Sequence, residues 1–157
     1  MNAGTQYNDN DVSKDDSTQT PNLPEAETIT SILELANMFL HSSYWFLVLS
    51  ITLTSLDLSG LAWAAKQRDL LCRESATTIY SWILGKGGKI QLADIAVPVL
   101  EEKENPTAEN LVKKWDQLDK WLETKMEQIL LTLGKGDDTG LEEMLRNLMW
   151  SFKNSLI

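Results

Sequence analysis

Cysteine is almost missing from this chain. Cys72 stands alone, which excludes an intramolecular disulfide and a cysteine-built zinc site and agrees with a reducing compartment, so a cytoplasmic location is expected. Histidine is equally scarce. His41 is the only one, and no acid follows it three or four residues later, so it reads as a surface or interface side chain and not as a metal ligand. Positive charge is short as well: 14 Lys and Arg against 23 Asp and Glu give a net charge of -9. No basic cluster offers a nucleic-acid face, and nucleic acid is not an expected partner. The opening stretch MNAGTQYNDNDVSKDD has neither a basic nor an apolar region of the secretion-signal kind. Residues 35–53 are rich in apolar side chains, but Asn37, His41 and several Ser and Thr break the run; a buried amphipathic helix fits it better than a membrane span, and no membrane partner is expected.

What is present is a 157-residue chain with 43% apolar residues, enough for one domain with a substantial core. Residues 1–27 carry six acids against Lys14 and have little to bury, so they read as a disordered acidic N-terminal tail. From Thr28 the pattern changes. Ile32, Ala36, Phe39, Ser43 and Phe46 recur at spacings of three and four, predicting a first helix to about residue 53 with Thr28 or Thr30 as cap. After the short break TSLDLSG, the seam Leu58, Leu61, Ala65, Arg68, Cys72, Ser75, Ile79 and Trp82 predicts a second helix to about Lys86, antiparallel to the first. Asn105 and Pro106 mark the start of a third helix with the seam Leu111, Trp115, Leu118, Leu122, Met126 and Ile129, ending at Gly134 and Gly136. Thr139 and Glu142 have capping-box spacing ahead of a short fourth helix with Leu141, Met144, Leu145, Leu148, Met149 and Phe152 on its apolar face.

The stretch ILGKGGKIQLADIAVP, residues 83–98, joins the two halves. Gly87 and Gly88 can close a helix with left-handed backbone angles, and Lys86 and Lys89 complement its negative end. The run from Gly87 to Asn105 is far longer than a turn requires and, at roughly 3.3 Å per residue, can travel the length of a helix. The fold class is therefore all-α: a four-helix bundle over residues 28–157 with a long crossover between helices two and three. Ile90, Leu92 and Ile95 could lay an apolar face on the bundle or pair as a strand with a second copy. GKGGK follows a helix and no Gly-Lys-Ser/Thr opens another, so it is not a phosphate loop; EEKENP is a solvated charge run.

The central crossover together with GKGGKIQLADIAVP, the aromatic-rich first helix around Tyr44 and the stretch LAWAA resembles the ferritin family, from about Leu35 through Pro98 and less securely from Leu111 onward. The resemblance implies a ferritin-like bundle. In catalytic ferritins it implies two irons held by a glutamate of helix one, a glutamate and a histidine three apart on helix two, a glutamate of helix three and a glutamine of helix four. Those positions fall here on Asn37, Cys72 and Ser75, Asp119 (or Gln117), and Lys153, with Tyr44 the one second-shell residue retained. Neutral, weakly ligating and cationic side chains do not suit Fe²⁺, so no ferroxidase site, no metal and no catalytic residue is expected, and iron enters only if the chain co-assembles with competent subunits. On the face that would look into a shell cavity the chain has Trp63, Lys66, Gln67, Leu70 and Arg73, which do not nucleate mineral. Near the family's three-fold pores Glu143 and Arg146 replace an acid pair.

The expectation is thus an iron-storage-family subunit with an accessory structural role in an oligomeric shell, its partners being itself or other ferritin subunits. The alternatives are a helical-bundle interaction protein without iron, monomeric or dimeric, and residual iron oxidation through Asp119, Glu34 and nearby acids. Two interior questions stay open. Lys153 either pairs with Asp119 inside the bundle or points out of the C-terminus, and Arg68 at a core position requires an acid, with Glu34 and Asp116 as candidates or a subunit contact as the other solution. Cys72 reads as a small apolar core residue. The six tryptophans, Trp45, Trp63, Trp82, Trp115, Trp121 and Trp150, exceed what one slender interior can take, so some belong to subunit contacts.

Overall fold

The computed structural model describes residues 23–100, 106–133 and 139–155, and within them the protein is all-helical. Helix α1 spans Ala26–Ser55, α2 Ser59–Gly85, α3 Ala108–Thr132 and α4 Leu141–Asn154. Most of the expected tail, residue Asn105, Gly134 and Gly136 lie outside the described residues; α1 itself begins two residues ahead of Thr28.

Helix α1 is dense in Thr, Ser and β-branched residues, which favour other conformations in isolation. Its hydroxyls are satisfied without leaving the helix: Thr30, Thr52 and Thr54 donate to the carbonyls of Ala26, Val48 and Ser50 four residues back. Burial supplies the rest, with Ile32, Leu35, Ala36, Phe39, Phe46, Leu49 and Leu53 all in the core. By length and composition α1 is also apolar enough to cross a membrane, but here nearly half of its apolar window is packed inside the bundle.

The turn between α1 and α2 is a Schellman closure on an unusual residue. Asp57 takes φ 59, its N–H donates to the Thr54 carbonyl, and the Leu58 N–H donates to Leu53. The same closure ends α2: Gly87 has φ 83, and the N–H groups of Gly87 and Gly88 donate to Leu84 and Ile83. Gly88 then lies against the helix so closely that a Cβ would sit 2.8 Å from Ile83 Cγ2.

Helix α3 starts on Thr107, whose hydroxyl accepts from the Asn110 N–H, so Thr107 caps it and Pro106 precedes the cap instead of occupying the first turn. At α4, Gly140 holds the N-cap position with φ 86 and the Thr139 hydroxyl accepts from the Leu141 N–H. Glu142 and Glu143 stand in its positive first turn and Lys153 in its last.

Contacts fix the topology. Glu34 with Lys125, His41 with Trp121 and Phe46 with Trp115 run in opposite directions along α1 and α3, so these two are antiparallel. The short turn makes α1 and α2 antiparallel too, and α2 therefore runs parallel to α3, which requires the crossover. Gly140 beside Trp82 and Lys86, with Phe152 against Arg68, sets α4 antiparallel to α2. The crossover is extended and forms no strand among the described residues. Of its expected apolar face only Ile95 turns partly inward, joined by Pro98 and Leu100, while Ile90 and Leu92 are exposed, as are Val97 and Val99.

Candidate functional site

At mid-height in the bundle the expected α2 seam brings a guanidinium into the core. Arg68 is only 3% exposed, and every face of it is engaged. Its Nη2 lies 2.9 Å from Asp119 Oδ2 and its Nε donates to Asp119 Oδ1 at 3.3 Å, a two-pronged pair between α2 and α3. Its Nη1 donates to the Phe152 carbonyl and to the Ser155 hydroxyl, each at 2.6 Å, and its Cζ lies 3.5 Å from the Phe152 ring centroid. A cation at the last carbonyls of α4 also meets the negative end of that helix. One side chain thus ties three helices.

A second polar group lies on the α1 side of α2. The Ser43 hydroxyl donates to Asp69, which is buried and also accepts from Arg73 one turn later at 2.9 Å. Cys72 sits between the two groups, and burial pushes its thiol far above the ordinary range, the nearby Arg68 charge opposing this only in part. Asp119 is raised as well: the cost of burying its carboxylate outweighs the attraction of Arg68.

Of the residues singled out by the ferritin resemblance, the fold brings Cys72 near Asp119 but does not gather the whole set. Cys72 and Ser75 face the interior, with the Ser75 hydroxyl turned back to the Leu71 carbonyl. Asp119 faces inward and Gln117 is exposed. Lys153 is exposed at the end of α4, so no Lys153–Asp119 pair forms; Asp119 belongs to Arg68. Arg68 accordingly pairs with neither Glu34, bound to Lys125 at 2.7 Å, nor Asp116, bound to Lys120 at 3.0 Å. Asn37 and Tyr44 precede the core residues Phe39 and Phe46 by two positions, about 200° around the helix, and so leave the interior face. Tyr44 is 46% exposed; Asn37 is half-buried, its Oδ1 covered and without a hydrogen bond.

No group of three or more His, Cys, Asp or Glu side chains is placed to hold a metal ion among the described residues. The donor set does not fit iron. Its one inward carboxylate is neutralised by a guanidinium that occupies the same space, and its thiol is held protonated. Between α1 and α3, His41 packs edge-on against Trp121 at 5.4 Å, Lys114 lies 4.0 Å over the Trp45 ring, and both bases are lowered by burial, His41 also by Lys114.

What the bundle does present is an apolar outer face. Tyr44, Leu47 and Ile51 form an exposed stripe at helical spacing on α1, Ile51 being 62% exposed. The Ser43–Asp69 contact marks the seam with α2, and Leu47, one turn beyond Ser43, continues outward from it. Across that seam stand Arg73 and Leu70, with Trp63 farther round and 66% exposed. Sequence reasoning had Trp63, Leu70 and Arg73 in view but not the α1 stripe; its signal, three large apolar residues at i, i+3 and i+7 off the core seam, was readable. Neither a scan of protein-family models nor a search of curated proteins finds a match for the chain.

Proposed function

We propose that the chain is a structural, non-enzymatic subunit of the ferritin-like kind, contributing to an oligomeric shell of intracellular iron storage without oxidising iron itself. The observation that carries the reading is the exposed apolar stripe of Tyr44, Leu47 and Ile51 beside Leu70 and Trp63, on a bundle whose two halves are joined by a crossover. Such a face is suited to subunit contacts, and among the described residues no His, Cys, Asp or Glu cluster is placed to hold iron. Co-expression with a catalytic ferritin subunit, followed by purification on a tag carried by that subunit alone, tests it. Incorporation into the shell is the expected result; exclusion from it removes iron storage from the description.

A second reading is favoured by Asn37 and Tyr44 facing away from the interior and by Arg68 lying within it. In that reading the bundle is an interaction protein that works without iron, as a dimer or monomer. Exclusion from ferritin shells together with a stable small oligomer supports it. Oxidation of Fe²⁺ by the pure protein above buffer would contradict both readings.

A further inference from the structure

Helix α4 has 14 residues, about 21 Å, against about 40 Å for the 27 residues of α2. Its last described contacts, Phe152 and Ser155, reach only the level of Arg68, nine residues from the start of α2. Beyond that point α2 and α3 continue in parallel with nothing between them among the described residues. Two turns from the Arg68–Asp119 pair, Leu61 and Val112 occupy the corresponding positions of the two helices, and both are exposed. With Ala64, Trp115, Asp116 and Asp119 they line a groove of about 390 Å³.

We infer that this groove receives an amphipathic helix from a partner protein, with apolar residues on Leu61, Ala64, Val112 and Trp115 and a lysine or arginine opposite Asp116. The shape argument is that α4 occupies the space between α2 and α3 lower down, and the groove continues the line of that helix beyond its end. The charge argument is that both polar residues of the lining are carboxylates. Asp119 is committed to Arg68, whereas Asp116 is 61% exposed and pairs with the exposed Lys120 of its own helix, a solvent-screened contact that a partner's cation can replace. An acidic occupant is repelled, and a second copy brings a charge of -9 of its own. The inference stands apart from iron storage, since the groove and the outer face lie on different sides of α2.

The probe is a fluorescently labelled synthetic peptide of about four helical turns, with leucines at i, i+4 and i+7 and lysines along one flank, titrated with the full chain and followed by anisotropy. Micromolar binding is expected, weakened about tenfold or more by Leu61→Glu and by Asp116→Lys, and unchanged by Trp150→Ser on the far side of α4. Both groove residues are exposed, and circular dichroism of each variant confirms that the bundle is kept. A version of the peptide with glutamates in place of the lysines is expected not to bind. The inference is overturned by absence of binding, or by equal binding to wild type and Leu61→Glu, which marks general charge attraction. It is also overturned if binding arises only once residues 156–157 are removed, or if Leu61→Glu lowers the solution mass; these outcomes give the groove to the chain's own C-terminus or to a second copy.

Discussion

Arg68 shows how little of a buried ion pair's role lies in the pair itself. Guanidinium and carboxylate lose hydration on burial, and the upward shift of Asp119 says that this loss is not fully returned by their attraction. Removing one partner is a different matter, because it strands the other. Arg68→Ala is expected to cost about 3–5 kcal/mol in urea denaturation, leaving the Asp119 carboxylate without its cation, whereas the double change Arg68→Met with Asp119→Leu is expected to cost clearly less than Arg68→Ala alone. A double variant as unstable as the sum of its parts would sink that account. His41 belongs to the same scale. Its folded-state pKa lies below the ordinary 6.5, so above that value both states are neutral and the group has no effect; as pH falls through 6.5 the unfolded chain takes up a proton that the folded one resists, and stability drops. His41→Gln is expected to flatten the fall in melting temperature between about pH 7 and pH 5, measured against wild type in the same buffers.

At the scale of the element, the helices were legible from periodicity and their ends were not. Ile32, Ala36, Phe39, Ser43 and Phe46 are buried as the three-and-four spacing requires, and so are Leu111, Leu118, Leu122, Met126 and Ile129. Helix α2 is different because it packs on two sides. The seam through Ala65, Arg68, Cys72, Ser75 and Ile79 was readable, but Ala62, Asp69, Ala76 and Ile83, which are also buried, form a second row beside it that a single-stripe reading does not include. The cap of α3 falls on Thr107 and not Asn105: two competent capping residues flank Pro106, and only the backbone decides between them. The Schellman closures give a paired prediction. Asp57→Gly relieves a side chain held at φ 59 and is expected to stabilise by up to about 1 kcal/mol, a few degrees in melting temperature. Gly88→Ala sets a methyl group 2.8 Å from Ile83 Cγ2 and is expected to destabilise by about 1–2 kcal/mol. Equal melting temperatures for both variants would show that the two turns do not limit the fold.

The whole molecule is a bundle that holds the Arg68–Asp119 pair and Asp69 inside and leaves large apolar side chains outside. The crossover topology could be read from the length of the segment after Gly87, since only parallel α2 and α3 need so long a link. The partner of Arg68 could not, although Arg68 and Asp119 were both in view, because choosing Asp119 over Glu34 or Asp116 requires the relative height of two helices that sequence spacing does not supply. The same ignorance of height and rotation put Asn37 and Tyr44 at interior positions that the helix turns away. The outer stripe was missed for a simpler reason: Leu47 and Ile51 lie off the α1 core seam, and the sequence reading followed the seam alone. Tyr44, Leu47, Ile51 and Trp63 stand exposed on one flank of the α1–α2 pair, and on the present account other subunits cover them.

That claim is tested most directly by the mass of the purified chain in solution, measured by light scattering beside a variant carrying Leu47→Lys and Ile51→Lys. The account predicts a multiple of the single-chain mass for wild type and a marked fall toward the single chain for the variant, with helicity unchanged. A wild-type protein that stays a single chain at all concentrations, or an oligomer indifferent to the two lysines, would contradict it.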